Sequence, residues 1–250
     1  MVSVQQPGID HFGASSPDVL WAGRKLAPSV AGTGAATFIC KRAMDLVLAT
    51  LALLLLAPLL LLIAVLIKLD SPGPVIFTQK RVGSRRRTHR GRTAWEITDF
   101  RVCKFRSMVR DADESVHREH IQAFVEARLD TSGTVKLTED RRVTRIGTFL
   151  RRTSLDELPQ LFNVFKGEMS LVGPRPVPTY EADAYQEWHR ERLAALPGIT
   201  GLWQVKGRGL VSFSEMVRMD IEYVRHQSLW LDVRILLATI PAVLSGRGAQ

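Results

Sequence analysis

The chain has 250 residues, of which 46% are hydrophobic, and it carries a net charge of +9. Its two cysteines, Cys40 and Cys103, have no metal-ligand spacing and its six histidines form no H-E-x-x-H pattern. These features exclude a disulfide framework and a zinc site, and they favour a reducing, cytosol-facing location. The positive charge suits an anionic partner, such as nucleic acid, an acidic membrane surface or a phosphorylated substrate.

Residues 1–38 are polar and rich in Gly, Ser, Ala and Pro, without a periodic apolar pattern. This composition predicts a flexible tail. The apolar run that follows begins too late in the chain for a secretory signal.

The segment 39–70 is predicted to be embedded in a membrane, because it has no charged residue between positions 46 and 67. A helix of that length measures roughly 33 Å, which is enough to cross the hydrocarbon. A plain spanning helix is one interpretation. Pro58 in the middle predicts a break, however, and both flanks are basic, which places both ends on the cytoplasmic side. A re-entrant helix-break-helix hairpin therefore has fewer conflicts, although its freed carbonyls need partners.

Residues 71–250 are predicted to form one domain of mixed helices and strands, without internal repeats. Strands are expected at 75–79 and 96–108 with a basic loop over 83–91 between them, and helices over 109–129 and around 155–165, 178–193 and 212–226. The apolar segment 229–244 fits either a core helix or a helix lying in the membrane interface.

The densest group of chemically useful residues surrounds Asp156 and Glu157. Ser154 and Glu157 have the spacing of a capping box, so a helix is predicted to begin close to Asp156. A helix start also binds phosphate through its unpaired N–H groups, so a cap and a binding site are both open interpretations. Adjacent helical side chains point about 100° apart, which suits different roles. One carboxylate can attack phosphorus while the other holds a divalent cation.

Three further segments carry candidate ligands. Arg175 lies between two prolines, which would form a stiff mount for a bidentate phosphate contact or simply an exposed turn. Lys104 and Arg106 alternate with apolar residues, as in a half-buried strand. A glycine-rich stretch that contains Gln204 and ends at the basic Arg208 either approaches a nucleotide or forms a tight connection.

Together these motifs resemble the bacterial sugar transferase family, the monotopic phosphoglycosyl transferases. The resemblance covers roughly residues 39 to 248, and the larger members' multi-pass amino-terminal region is not expected in this compact form. Its motifs follow in order: Lys41-Arg42-x-x-Asp45 with the proline-containing apolar segment, then positions 71–83, 104–108, 153–167, 170–176, 197–208 and 228–232.

The resemblance implies a mainly helical α+β fold, with a re-entrant membrane hairpin, a small β-hairpin and interfacial helices. It implies that the catalytic domain acts on the cytoplasmic face of the bacterial inner membrane, in contact with membrane lipid. The implied reaction is Mg²⁺-dependent. It moves a sugar 1-phosphate from a UDP-sugar to undecaprenyl phosphate, through a covalent aspartyl-phosphosugar intermediate, and releases UMP. Such a step initiates the assembly of exopolysaccharide, capsule or O-antigen.

The resemblance also implies roles for individual residues. Asp156 matches the family's catalytic nucleophile, and Glu157 its catalytic metal ligand. Substrate-binding roles are implied for a larger set: Lys104, Arg106, Arg151, Arg175, Gln204, Arg208 and Asp220. The chain departs from the usual pattern in a longer, more basic connection at 85–99, and in Lys206, which stands where asparagine is common. The sugar is not specified, and a homodimer is compatible with the resemblance.

Two rival interpretations explain less of the sequence. A non-enzymatic basic membrane protein, bound to nucleic acid or acidic lipid, accounts for the charge and the apolar segment but not for the ordered motifs, so no nucleic-acid partner is expected. A multi-pass polyprenol-phosphate transferase requires many spanning helices, whereas this sequence has one long apolar run.

Overall fold

A computed structural model describes residues 34–89, 92–109, 118, 142–207 and 211–244. In chain order its elements are α1 (Ala35–Asp70), β1 (Ile76–His89), β2 (Arg92–Phe105), α2 (Arg145–Thr153), a 3-10 turn (Leu155–Glu157), α3 (Gln160–Lys166), β3 (Ser170–Val172), β4 (Val177–Pro178), α4 (Thr179–Asp183), a 3-10 helix (Glu187–Leu193), β5 (Gly198–Thr200), α5 (Leu202–Lys206), α6 (Phe213–Arg225) and α7 (Leu229–Leu244). The mixed helix and strand organisation is confirmed. The predicted tail up to residue 33, and the helix predicted over 109–129 except for positions 109 and 118, lie outside the described residues.

Helix α1 is the one described helix that is long and apolar enough to cross a membrane. It continues past Pro58 as a single helix, and its first turns include residues 35–38, which were predicted as tail. The predicted interruption at Pro58 is therefore not seen as a change of secondary structure. Leucines in the middle of the helix are exposed, since Leu54 and Leu55 are 71% and 81% exposed, whereas Ala49 and Ile63 are buried.

The amino-terminal end of α1 is bound to the domain through buried charges. The Nζ of Lys41 donates to the carboxylate of Asp232 at 2.7 Å and to the carbonyl of Val172 at 3.0 Å. Asp45 accepts a hydrogen bond from the backbone N–H of Leu171 at 3.1 Å. Because Lys41, Asp45 and Asp232 are all buried, this end cannot leave the domain without exposing unpaired charges to an apolar interior.

The carboxyl-terminal end of α1 is held by Arg106. Its guanidinium donates to the carbonyls of Ile67, Ser71 and Pro72, at 3.3, 2.6 and 2.9 Å. Gly73 has a φ of +127°, and a Cβ at this position would lie 2.1 Å from the Arg106 guanidinium. The helix end therefore requires both a planar donor at position 106 and a glycine at position 73.

Strands β1 and β2 form a long antiparallel hairpin, in which Ile76 pairs with Phe105 and His89 with Arg92. The prediction of a basic loop over 83–91 is wrong, because residues 83–89 continue strand β1. The basic side chains are accommodated on the strand by exposure and by pairing, as between Arg87 and Glu96 at 3.0 Å.

The hairpin belongs to a three-stranded sheet with the order β2-β1-β4, and β3 and β5 form a second, parallel pair. Strand β4 pairs with β1 at Arg81 and Val82 only. The helices pack around these sheets on apolar faces, with buried residues such as Val164 and Val217 at the centre. This packing places the 3-10 turn Leu155–Glu157 against β2, near the segment that leads into β4.

We predict that Arg106→Ala destabilises the protein, because buried carbonyls at the end of α1 lose their donors. The expected loss is about 2–4 kcal/mol, equivalent to roughly 5–15 °C in Tm for a domain of this size. Thermal unfolding of the full chain in detergent measures it. Arg101→Ala on β2, the strand that ends just before Arg106, removes an exposed side chain and is the control. Equal Tm values for the two variants would contradict the assigned role.

Candidate active site

The two neighbouring carboxylates lie on a tight reversal between two helices. Helix α2 ends at Thr153, and Ser154 adopts a left-handed conformation, with φ 57° and ψ 17°. Asp156 and Glu157 follow in the 3-10 turn, and α3 begins after Pro159. The predicted capping box is wrong, since Ser154 makes no side-chain cap hydrogen bond at the start of this turn. Ser154 instead ends α2, where its N–H binds the carbonyls of residues 150 and 151.

Glu157 is held between two cations that the sequence predicted. The Nζ of Lys104 on β2 lies 3.0 Å from its Oε1, and the Nη1 of Arg175 lies 3.7 Å from the same oxygen. The Glu157 side chain is 21% exposed, so these contacts stand at an accessible surface. Its neighbour Asp156 is 9% exposed. The structure thus brings Lys104 and Arg175 to Glu157, with Asp156 beside it on the same turn. The catalytic and binding roles of these residues stay predictions.

Arg151 lies on the last turn of α2, three residues before the left-handed Ser154. Its Nε donates to the hydroxyl of Ser107 at 3.0 Å. The approach of α2 to this strand end is close, because a Cβ on Gly147 would lie 2.0 Å from the Ser107 carbonyl. The hydrogen bond holds the Arg151 side chain against Ser107, and its substrate-binding role stays a prediction.

Two residues with predicted substrate-binding roles are bound elsewhere. Arg106 is buried, and its guanidinium binds the end of α1. Asp220 on α6 is fully buried, and it binds Arg192 at 2.5 Å. Both side chains are therefore occupied by contacts within the fold. Their substrate-binding roles stay predictions.

Burial raises the pKa of Asp220 to about 6, against the opposing attraction of the Arg192 guanidinium. The pKa of Arg192 is raised above its ordinary value, since burial, which lowers it, is outweighed by nearby Tyr185, Asp220 and Glu181. The two partners therefore shift in the same direction. A pKa near 6 still leaves Asp220 mainly ionised at neutral pH, so the ion pair is intact there.

The glycine-rich stretch is described only in part. Gln204 lies on α5, where its Nε2 donates to the carbonyl of Ile199 at 3.0 Å and its Oε1 is buried without a hydrogen bond. These contacts hold Gln204 within its own loop and do not join it to the carboxylate turn. Arg208 lies outside the described residues. The substrate-binding roles of both residues stay predictions.

The sequence analysis missed Arg81 as a site residue, although it lies inside the motif at positions 71–83. Burial lowers the pKa of Arg81 to about 10, and the nearby charge of Arg175 acts in the same direction, while Glu157 opposes it. At that value Arg81 stays charged at neutral pH. The signal that could have found it is a cation at a strand position whose neighbour, Val82, is apolar and buried.

The carboxylates of the turn are candidate ligands for a divalent cation. Within the described residues there is no group of three or more His, Cys, Asp or Glu side chains placed to hold a metal. Mg²⁺ is usually held by one or two carboxylates, with water and substrate phosphate completing its shell. Glu157, whose side chain is 21% exposed, offers one carboxylate of that kind.

The chain resembles known proteins over most of its length. The family model described as bacterial sugar transferase matches residues 36–246. The exopolysaccharide production protein ExoY of Rhizobium meliloti is 42% identical over 84% of this chain and 88% of its own length. The undecaprenyl-phosphate galactose phosphotransferase of Salmonella typhimurium is 41% identical over 84% of this chain and 41% of its own length.

A third relative, the undecaprenyl-phosphate glucose phosphotransferase of Komagataeibacter xylinus, is 44% identical over 84% of this chain and 36% of its own length. The chain thus spans less than half the length of several relatives, and most of the length of ExoY. The helix, the carboxylate turn and the cations around it all fall inside the matched residues. The protein is a transferase, and it belongs to the bacterial sugar transferase family. The sequence-based family and enzyme predictions are therefore confirmed.

We predict that the conformation of the carboxylate turn depends on the left-handed residue at position 154. Ser154→Gly should raise stability by about 0.5–1 kcal/mol, because glycine adopts this conformation without a Cβ clash, whereas Ser154→Val should lower it by about 1–2 kcal/mol. Thermal unfolding in detergent measures both changes. A valine variant as stable as the wild type would show that the turn has another conformation.

Proposed function

We propose that this protein transfers a sugar 1-phosphate from a UDP-sugar to undecaprenyl phosphate, with release of UMP. The observation that carries the proposal is the paired carboxylates Asp156 and Glu157, set against Lys104 and Arg175 on a chain of this family. Relatives are named for acting on undecaprenyl phosphate with galactose, glucose or N-acetylgalactosamine, so the sugar is left unspecified. The product would start the assembly of a membrane-linked polysaccharide.

The first step is attack by a carboxylate oxygen of Asp156 on the β-phosphorus of the UDP-sugar. A bond forms between this oxygen and phosphorus, and the bond from phosphorus to the oxygen that bridges the two phosphates breaks. UMP leaves with that bridging oxygen and its electron pair. The sugar phosphate remains attached to Asp156 as an acyl phosphate.

In the second step a phosphate oxygen of undecaprenyl phosphate attacks the same phosphorus. The bond between the Asp156 oxygen and phosphorus breaks, and the carboxylate is regenerated. The product is undecaprenyl diphosphosugar. Neither step requires a proton transfer to Asp156.

The transferred phosphoryl group carries negative charge, and the protein supplies cations beside it. Lys104 and Arg175 contact Glu157 directly, and Arg81 lies near both Arg175 and Glu157. Fixed cations of this kind stabilise charge that develops at phosphorus without further reorganisation. We propose that Glu157, with Asp156 beside it, holds Mg²⁺, which when bound would supply charge neutralisation at the phosphate oxygens.

We also propose that α1 enters and leaves the cytoplasmic leaflet of the inner membrane on one face, bending at Pro58. Both ends of α1 are bound to one domain, through Lys41 at the start and Arg106 at the end. A straight spanning helix would place these ends on opposite sides of the bilayer. The exposed leucines before Pro58 supply the part of the helix that lies in lipid.

The position of the carboxylate turn relative to the membrane is inferred from exposed apolar side chains on α3, the helix directly after the turn. Phe162 and Phe165 are 48% and 59% exposed, and Trp230 on α7 is 70% exposed. We propose that these aromatic residues lie in the membrane interface, where such rings are favourable. The turn that carries Asp156 then lies at the level of the lipid phosphate.

We expect Asp156→Asn to reduce UMP release by at least about 10³-fold and to abolish the radiolabelled sugar-phosphate adduct, since the amide cannot form the acyl phosphate. The assay uses UDP-sugars, undecaprenyl phosphate and Mg²⁺ with the full chain. Asp183→Asn removes an exposed carboxylate and should behave as wild type. Wild-type turnover in the Asp156→Asn variant would exclude the covalent route.

Two lysines of the hairpin provide a matched test of the cationic site. Lys104→Met should lower kcat/KM by about 10²-fold, because Glu157 and the bound phosphate lose a partly buried cation. Lys80→Met breaks a partly exposed ion pair with Asp99 on the same hairpin, at 3.1 Å, and should change kcat/KM by no more than about twofold. Equal effects of the two substitutions would remove Lys104 from the site.

Labelling of cysteines tests the topology of α1. Cys40 is exposed before the apolar run, and Lys68→Cys in a chain lacking Cys40 and Cys103 supplies an exposed reporter after it. A membrane-impermeant maleimide should label neither position in intact spheroplasts and both positions in inside-out vesicles. Labelling of either position from outside would show that α1 spans the bilayer.

A further inference from the structure

The three carbonyls of the segment Pro174-Arg175-Pro176 are each bound by a different part of the fold. The Pro174 carbonyl accepts from the N–H of Gly198 on β5 at 2.8 Å. The Arg175 carbonyl accepts from Nη2 of Arg192 at 3.4 Å, and the Pro176 carbonyl from Nη1 of Arg81 at 3.3 Å. Prolines offer no N–H, so carbonyls are the groups through which this loop can be tied down.

Arg192 is itself fixed in the interior. It is 1% exposed, and it binds Asp220 at 2.5 Å, the hydroxyl of Tyr185 at 2.5 Å and Glu181 at 3.5 Å. Two carboxylates therefore balance its charge. A buried guanidinium held at this many points has a fixed orientation, in which Nη2 binds Asp220 and also faces the Arg175 carbonyl.

Arg81 holds the other side of the same loop from the sheet. Its second terminal nitrogen donates to the neutral side chain of Gln79 at 2.6 Å, and β1 pairs with β4 at Arg81 and Val82. Its Nε is buried without a hydrogen bond. Because Arg81 and Arg192 hold the backbone of residues 175 and 176, the Arg175 side chain extends from the accessible side of this loop to Glu157.

We propose that Arg81 and Arg192 are positioning residues that act through Arg175, by holding the carbonyls of residues 175 and 176 so that its guanidinium faces the transferred phosphate. This inference rests on the proposed function, for which Arg175 is a phosphate ligand. A displacement of about 1 Å at a reacting centre can cost 10²-fold in rate. The buried pair of Arg192 and Asp220 therefore serves the reaction without touching the substrate.

A double-mutant cycle separates positioning from general damage. We expect Arg192→Lys and Arg81→Lys each to lower kcat/KM for UMP release by about 10- to 100-fold in the wild-type background. In a chain that already carries Arg175→Ala, the same substitutions should lower it by less than about twofold, because the group they position is gone. If either substitution lowers kcat/KM by the same factor in both backgrounds, the proposal is overturned for that residue.

Two further variants distinguish a positioning effect from loss of the fold. Asp220→Asn keeps the shape of the pair and weakens the fixing of Arg192, so it should produce a smaller loss that also disappears in the Arg175→Ala background. Arg225 lies on the same helix as Asp220 and forms an exposed ion pair with Glu191 at 2.7 Å. Arg225→Lys disrupts this pair and should leave kcat/KM unchanged. Thermal unfolding of every variant identifies those that fail to fold, and the cycle is read from the folded ones.

The outcome for the wild type distinguishes this inference from the proposed function. If the wild-type chain releases no UMP from UDP-sugars, the proposed function fails, and the cycle is then read in the affinity for Mg²⁺-UDP by calorimetry. Non-additive losses of affinity would still support positioning through Arg175. Additive losses, or no binding of UDP by the wild type, would overturn it.

Discussion

An apolar helix with both ends bound to one domain is the constraint on which the rest of this structure depends. At the start of α1, the charges of Lys41 and Asp45 are buried among groups of the domain, and at its end Arg106 binds three carbonyl oxygens. Buried charges of this kind separate from their partners only at a cost of several kcal/mol. The exposed middle of the helix is therefore anchored to the domain at both ends, on the same fold that carries the carboxylate turn.

The site combines this frame with a local charge balance. Asp156 and Glu157 place two negative charges on one tight turn, and Lys104, Arg175 and Arg81 supply three positive charges from two strands and a loop. Each cation comes from a separate element, so the balance exists only when the hairpin, the proline-flanked loop and the turn are packed together.

The sequence predicted which residues lie together better than it predicted the local conformation around them. Asp156, Glu157, Lys104 and Arg175 were identified because carboxylates, lysines and arginines in fixed motifs point to phosphate chemistry, and the structure brings Lys104 and Arg175 to Glu157. The capping box at Ser154 does not form because Ser154 has a left-handed backbone conformation, and because the Glu157 carboxylate accepts from Lys104, 53 positions away. Arg106 and Asp220 were assigned to substrate because sequence shows charge but not burial. The basic stretch 83–89 was interpreted as a loop because pairing with β2 is non-local, and local composition does not reveal it.

The inner and outer halves of the β1–β2 hairpin are held by different contacts. The pairing of β1 with β4 ends at Val82, and just beyond it the side chain of Ser84 binds the Leu193 carbonyl of the 3-10 helix. Further out, Trp95 and Arg86 contact Phe38 at the start of α1, at 6.2 and 4.8 Å. Arg81 and Lys104 both lie on the inner half of the hairpin. The outer half is therefore held to the fold as far as these contacts reach, whereas Arg87 and Thr88 near its tip are exposed. Changes of length or charge are best tolerated at this tip, beyond the last packed side chains.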